Sequence, residues 1–178
     1  MNTAKIATTH PECFLRFATT DDIPTILTFI EALADYERLA HAVVATEQTL
    51  RATLFPLLPA RGFAEVVLAF WNDEAVGFAL FFHNYSTFLA KPGLYLEDLF
   101  VLPTARGHGI GKILFEYLAH LATERGCGRM EWAVLDWNEP AIGFYQKLGA
   151  TAMDTWTTFR LEPPTTTRKS QAFDTNEG

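Results

Sequence analysis

Hydrophobic positions along the chain repeat with two different periods, and the changes between them mark out the predicted elements. Helices are expected where apolar residues recur every three or four positions, over about 21–36, 46–55, 110–125 and 139–148. Strands are expected where β-branched and aromatic residues run together, over 14–17, 64–71, 76–85, 94–102, 130–137 and 151–161. The pattern therefore predicts helices and strands in the order β-α-α-β-β-β-α-β-α-β.

The connections between these elements predict a mixed sheet. Asn72, Asp73 and Glu74 are typical turn residues between two strands, so those strands should form an antiparallel hairpin. The strand–helix–strand unit over 94–137 requires a parallel pair. Its first strand is apolar on both faces, which is typical of a central strand. We therefore expect an α/β (mixed α+β) fold in which a mostly antiparallel, twisted sheet carries helices on both faces.

Length and composition fit one folded domain. The chain has 178 residues, of which 49% are hydrophobic and 20% are charged, and this balance excludes a disordered chain. We expect a flexible N-terminus over 1–12 and a single domain over 13–161. Residues 162–178 contain one aromatic residue and no aliphatic residue beyond Ala172, so we expect a disordered tail there.

The charge balance and the cysteine count narrow the function classes. The chain has 14 Lys and Arg against 21 Asp and Glu, a net charge of −7, which disfavours nucleic acid and anionic membranes and favours a cationic substrate. Cys13 and Cys127 are too few for a disulfide framework and match no zinc spacing, so no metal is expected. We find no signal-peptide pattern and no membrane-spanning apolar stretch, and we expect a cytoplasmic protein.

A glycine-rich turn follows the central strand. Gly107, Gly109 and Gly111 lie between a strand end and a helix start, where backbone N–H groups and the helix dipole can hold an anion. Arg106 could pair with a phosphate, and His108 either approaches that phosphate or stays an exposed loop residue. The residues of this turn match neither the P-loop pattern nor the glycine pattern of dinucleotide-binding proteins. A turn that is merely tightened by glycines fits the same residues.

Two further groups of residues could carry chemistry. Glu97 and Asp98 are neighbours within the central strand, so we expect their side chains on opposite faces of the sheet. Each carboxylate could act as a base or bind a cation, or it could have a purely structural role with hydrogen bonds from backbone N–H groups or an ion pair with Lys or Arg. Asn138 is expected to cap the last helix, with Pro140 in its first turn. Tyr145 on that helix is either a core ring or a general acid.

These three groups together resemble the GNAT superfamily of acyl-CoA-dependent N-acetyltransferases. The signature Arg106-x-x-Gly109-x-Gly111 follows the strand LYLEDLFVLP. AVLDWNEPAIGFYQKLGA and the early LADYE are similar to the diamine acetyltransferase branch, which includes spermidine/spermine acetyltransferase and its thialysine-acetylating relatives. The resemblance covers roughly residues 14–161 and implies the GNAT fold with a splayed central strand pair, a homodimer, and acetyl-CoA as co-substrate of an amine N-acetyltransferase.

The resemblance also assigns roles to individual residues. It implies that acetyl-CoA contacts Leu99, Phe100, Val101, Arg106, Gly107, His108, Gly109, Ile110, Gly111, Asn138, Glu139 and Pro140. It implies that the amine substrate lies near Tyr36, Glu37, Glu97, Asp98, Asp136 and Trp137. Glu97 would accept a proton from the amine, directly or through water, and Tyr145 would donate one to the leaving thiolate.

One stretch departs from the diamine branch. Human-type diamine acetyltransferases carry adjacent acidic residues soon after the Tyr-Glu pair, whereas residues 38–42 here read Arg-Leu-Ala-His-Ala. Polyamine specificity is therefore not implied, and Arg38 could pair with the carboxylate of an amino acid instead.

Two functions other than acetyl transfer stay open. They are a non-catalytic acyl-CoA-binding module and a nucleotide-binding module, and intact Glu97 and Tyr145 argue against the first.

Overall fold

The computed structural model describes residues 4–57 and 62–161. Contacts divide the chain into two compact units, Met1–Ala133 and Val134–Gly178, and each is described by itself. The single domain expected over 13–161 stays a prediction. The tail expected to be disordered, 162–178, lies outside the described residues.

The first unit contains a six-stranded sheet. Within the described residues its strands are β1 (Ile6–Ala7), β2 (Cys13–Phe17), β3 (Glu65–Trp71), β4 (Glu74–Ser86), β5 (Lys91–Val101) and β6 (Met130–Trp132), and they lie in sequence order across the sheet. Every neighbouring pair is antiparallel except β5 and β6, which are parallel. The predicted mixed sheet, its hairpin and its one parallel pair are confirmed.

Among the described α-helices, two begin at a residue whose side chain caps the helix. The helices are α1 (Ile23–Tyr36), α2 (Glu47–Leu54), α3 (Ile110–Glu124) and, in the second unit, α4 (Glu139–Lys147). Thr46 and Thr49 form a reciprocal capping box before α2, and the Asn138 side chain accepts a hydrogen bond from the N–H of Ala141 at 3.3 Å. No helix among the described residues is both long enough and apolar enough to cross a membrane.

Helices cover both faces of the sheet. One face packs with α1 and α2 around a buried cluster: Ala18, Ile23, Ile26, Phe29, Leu50, Leu54, Val66, Leu68, Phe78 and Phe100. The alternate strand residues face α3, whose contacts run to β3, β4 and β5. On this second face Arg125, just after α3, makes a two-pronged ion pair with Glu65 of β3. The predicted helices on both faces are confirmed.

Three predicted segments differ from the structure. Part of the segment expected to be flexible forms β1, because Ile6 and Ala7 pair with Leu15 and Phe14 of β2. The strand expected over 130–137 ends at Trp132. Residues 151–161, predicted as a strand from their threonine and aromatic content, contain no strand and expose large apolar side chains such as Trp156, at 72%. Composition alone indicated that strand, but a strand also needs a paired neighbour.

Candidate active site

The glycine-rich turn joins β5 to α3 and leaves its backbone accessible. Gly107 and Gly109 have φ values of +86° and +77°, a region that glycine adopts without strain. A Cβ added at either position would meet no protein atom within 4 Å. Gly109 is the N-cap of α3, so the first N–H groups of that helix have no carbonyl partner within it. The turn therefore fits an anionic group such as a phosphate.

Arg106 connects this turn to the end of α1. Its Nε donates a hydrogen bond to the carbonyl oxygen of Val101 at 3.0 Å. Its guanidinium carbon lies 4.9 Å from the centre of the Tyr36 ring and 5.8 Å from that of Phe100. Cation–π attraction at these distances holds the arginine beside the turn. Tyr36, which the family resemblance places near the amine substrate, thus also contacts the arginine of the anion-binding turn.

A row of tilted aromatic rings contacts the turn at His108. The His108 ring lies 4.8 Å from the Trp71 ring, centre to centre, and the Trp71 ring lies 4.4 Å from the ring of His10. The Nδ1 atom of His108 is also 3.3 Å from the carbonyl oxygen of Ala105. Sequence reasoning did not identify Trp71, because nothing in its local pattern distinguishes it from any aromatic residue at a hairpin end.

The edge of β5 opens just before the turn. β5 and β6 pair over only three positions, from Leu94 with Met130 to Leu96 with Trp132. Within the described residues β5 continues to Val101 with no partner strand on that side. Leu99, Phe100 and Val101 lie in this unpaired stretch, so their backbone faces an open edge where an amide-bearing ligand could add hydrogen bonds.

A β-bulge changes where Glu97 and Asp98 point. Leu96 pairs with Phe81 and Asp98 pairs with Leu80, so Glu97 has no partner residue on β4. Glu97 and Asp98 therefore share the place of one residue on the face that α1 covers. The prediction that the two carboxylates point to opposite faces is wrong, because a bulge breaks the strict alternation of a strand.

Electrostatics link these carboxylates to the end of α1. Burial, together with the charges of Glu97 and Glu37, raises the pKa of Asp98 from 3.8 to about 6. Burial also raises the pKa of Glu37. Three acidic side chains thus share one region, which suits a cation. Among the described residues no group of three His, Cys, Asp or Glu side chains is arranged to hold a metal ion.

The second unit holds the remaining predicted residues. Asn138 caps α4, and Glu139 and Pro140 occupy its first turn, as predicted. Tyr145 lies on α4 with its ring 5.1 Å from the Phe144 ring, in an edge-to-face arrangement. Asp136 and Trp137 precede the cap. The local structure of the Asn138–Pro140 motif is confirmed, while the catalytic role of Tyr145 stays a prediction.

Comparison with known proteins decides the family. Residues 29–150 match the acetyltransferase (GNAT) family. The chain belongs to this family. It is therefore an N-acetyltransferase of the GNAT family with the α/β fold expected from the sequence. Acetyl-CoA, the co-substrate that the family implies, fits the open glycine turn and the unpaired edge of β5.

Individual relatives make the relationship more specific. The chain is 35% identical over 189 aligned positions to L-ornithine N5-acetyltransferase NATA1 of Arabidopsis thaliana, covering 83% of each chain. It is 35% identical over 162 positions to thialysine N-epsilon-acetyltransferase of Mus musculus, covering 83% of this chain and 91% of the relative. Among solved structures, aminoglycoside acetyltransferase meta-AAC0020 from an uncultured soil metagenomic sample superposes with a TM-score of 0.72 at 18% identity, over 88% of this chain and 99% of that chain. The last likeness supports the fold alone.

Proposed function

We propose that this N-acetyltransferase transfers the acetyl group of acetyl-CoA to the terminal primary amine of a small basic amino acid or a short diamine. The observation that carries the proposal is the cluster of Glu97, Asp98 and Glu37, which the bulge and the end of α1 bring into one region. A protonated amine is the small-molecule group that such a cluster attracts. The relatives named for ornithine and thialysine support the same substrate class.

A long polyamine fits this region less well. Spermine carries several ammonium groups along one chain and needs acidic partners for each of them. Residues 38–42, which follow Glu37, contribute Arg38 and His41 and no acid. An exposed ion pair is worth up to about 1 kcal/mol, so each missing pair lowers the preference for a long polycation.

The proposed reaction begins with a proton transfer. An ammonium group has no lone pair, so it must lose a proton before it attacks a thioester. Glu97, directly or through one water molecule, accepts that proton, and Asp98 holds the neighbouring charge. The nitrogen lone pair then forms the new C–N bond at the thioester carbonyl, and a backbone N–H of Leu99 or Phe100 stabilises the developing oxyanion.

The leaving group also needs a proton. As the C–S bond breaks, its electron pair stays on sulfur as a thiolate. In this proposal Tyr145 donates its phenolic proton to that sulfur, and the positively charged nitrogen of the intermediate loses its extra proton, which returns to Tyr145. Glu97 then releases the proton it took from the amine to solvent, so one turnover releases one proton and restores both side chains. Asn138, Glu139 and Pro140 contribute to acetyl-CoA binding, while Asp136 and Trp137 contribute to amine binding. No covalent enzyme intermediate is required.

An amine panel with two pairs of variants tests the proposal. Thiol release from acetyl-CoA is measured with ornithine, thialysine, putrescine and spermine. We expect the short substrates to exceed spermine in kcat/KM, and Glu97→Gln and Tyr145→Phe to lower kcat by about 10²–10⁴-fold. Glu116→Gln on the exposed side of α3 and Tyr85→Phe on β4 are matched controls that should keep kcat.

The results separate the proposal from its alternatives. Acetyl-CoA binding without thiol release for any amine would support the non-catalytic module. A thermal shift with ATP but none with acetyl-CoA would support the nucleotide-binding module. A tenfold or greater advantage for spermine would contradict the short-substrate proposal.

We also propose a homodimer that works in the cytoplasm and binds neither nucleic acid nor membranes. The resemblance to diamine acetyltransferases supports the dimer. The net charge of −7 disfavours anionic partners, and both cysteines are unpaired, which is typical of a reducing compartment. Light scattering after size-exclusion chromatography should give twice the mass of one chain, and the mass of one chain would contradict the dimer.

A further inference from the structure

Three helices in the described part of the chain end in the same hydrogen-bonded motif, but at one of them an arginine replaces glycine. In this motif, the Schellman motif, the residue after the C-cap and the one following it donate to carbonyls of the last helical turn. The donor–acceptor pairs are Arg38 to Asp35 and Leu39 to Ala34 after α1, Gly126 to Thr123 and Cys127 to Ala122 after α3, and Gly149 to Gln146 and Ala150 to Tyr145 after α4.

The backbone at Arg38 is one that glycine would adopt more easily. Its φ is +63°, close to the +68° of Gly126 and below the +87° of Gly149. Residues with a Cβ are disfavoured in this left-handed region, where Gly, Asn and Asp are the usual occupants. The position therefore carries a stability cost that glycine would avoid, and such costs concentrate at functional sites.

Arg38 also adds a positive charge at the position directly after Glu37, a member of the acidic cluster. It directly follows Glu37, whose charge helps to raise the pKa of Asp98, and its side chain is exposed. Two residues before it, the Tyr36 ring lies against Arg106 of the glycine-rich turn. The chain thus carries a cation directly after Glu37 of the acidic cluster, separate from the arginine at the anion-binding turn.

We propose that Arg38 binds the α-carboxylate of an amino-acid substrate while the acidic cluster holds the terminal amine of the same molecule. This inference rests on the proposed function and narrows it from basic amino acids and diamines to basic amino acids. A guanidinium and a carboxylate form charge-assisted, two-pronged hydrogen bonds. A diamine has only a second ammonium at that end, with no carboxylate beside it to offset its repulsion from Arg38. The relatives named for ornithine and thialysine act on molecules that carry an amine at one end and a carboxylate at the other.

Ornithine and putrescine form a matched pair of substrates, because they differ only in the α-carboxylate. We expect the wild-type protein to favour ornithine over putrescine in kcat/KM. Arg38→Gln should lower kcat/KM for ornithine by about 10–100-fold, the range expected for a hydrogen bond to a charged group, and raise that for putrescine by a few fold. Arg51→Gln, which removes an exposed arginine from α2, is the control and should keep the wild-type ratio of the two substrates.

A second variant separates substrate binding from a structural role. Arg38→Gly suits the backbone better, so it should raise Tm by about 2–4 °C. If Arg38 binds the carboxylate, this more stable variant still loses its preference for ornithine over putrescine. A merely structural arginine would leave the preference intact in both variants.

Each outcome supports or overturns the inference. An unchanged ornithine-to-putrescine ratio in both Arg38 variants, or a wild-type protein that favours putrescine, overturns it while the proposed function stands. A rise in KM for acetyl-CoA with an unchanged amine ratio would assign Arg38 to acetyl-CoA and also overturns it. If the wild-type protein acetylates neither amine nor thialysine, the proposed function fails and the inference fails with it.

Discussion

Asp98 combines a charge that would attract the proposed amine substrate with a position that disfavours that charge. It lies on the face of the sheet covered by α1, and the negative charges of Glu97 and Glu37 add to the effect of burial. Together they raise its pKa to about 6. Asp98 is therefore ionised in neutral solution and becomes protonated under mildly acidic conditions.

The pKa of Asp98 predicts how activity depends on pH. Alkyl ammonium groups stay protonated well above neutrality, so amine substrates keep their charge between pH 5 and 8. We expect kcat/KM for the amine to fall as the pH drops through about 6, because protonation of Asp98 removes a negative charge. Asp98→Asn should be about tenfold less active at pH 7.5 and should lose most of this dependence. A variant with the wild-type pH profile would show that another group controls it.

The same shift affects stability with a defined sign. A carboxyl group whose pKa is higher in the folded state destabilises the protein above that pKa, and this destabilisation disappears at acidic pH, below the unfolded value of 3.8. Asp98→Asn should therefore raise Tm at pH 8, and the corresponding gain in the free energy of unfolding should be at most about 3 kcal/mol. Near pH 4 the variant should lose this gain. Asp73→Asn, in an exposed turn, is the control and should show no such difference.

At the scale of elements, the glycine-rich turn and the end of α3 offer a matched test. Gly109 and Gly126 flank the same helix with φ values of +77° and +68°, and a Cβ at either position would meet no protein atom within 4 Å. Valine at either position should strain the backbone similarly, lowering stability by about 1–2 kcal/mol. Only Gly109→Val also places methyl groups where a phosphate would approach the backbone.

Thermal shifts with acetyl-CoA distinguish the two glycines. A ligand at 100 times its Kd stabilises the folded state by about 2.7 kcal/mol. We expect this shift to persist in Gly126→Val and to be largely lost in Gly109→Val, with circular dichroism confirming that both variants fold. Equal shifts in the two variants would remove the glycine-rich turn from the acetyl-CoA site.

The elements also show what the sequence could predict. Periodicity and capping residues identified all four helices, since Thr46, Asn138 and the glycines after α3 and α4 are local signals. The bulge at Glu97 was missed because it depends on the register between two strands, which neither strand encodes alone. The row of tilted rings of His10, Trp71 and His108 joins residues far apart in sequence, so no local pattern indicates it.

The predicted strand over 151–161 failed for a related reason. Its threonine and aromatic residues have high β-propensity, but propensity reflects how well a residue fits a packed, paired surface. In the structure these residues are exposed and unpaired. The local structure at the glycine-rich turn and at the Asn138 cap was more predictable than this segment, because both are short sequence signals that determine their own backbone geometry.

The charge of the whole molecule predicts one further property of the reaction. The chain carries a net charge of −7, and its acidic cluster adds a local negative field. Such a field accelerates the approach of cations, and salt weakens it as the screening length falls from about 30 Å at 0.01 M to about 10 Å at 0.1 M. At neutral pH putrescine carries two positive charges, whereas ornithine carries a net charge of one.

The two amines should therefore respond differently to salt. Because the logarithm of a steered rate scales with the charge of the ligand, we expect kcat/KM to fall about tenfold for putrescine and about threefold for ornithine between 10 and 150 mM salt. Equal slopes in sodium chloride and potassium acetate would exclude a specific ion effect. If both amines show the same slope, the long-range field does not guide the substrate. If the slopes differ as expected, preference for the amino acid increases with ionic strength, because a close pair between Arg38 and a carboxylate is screened less than the long-range approach of a dication.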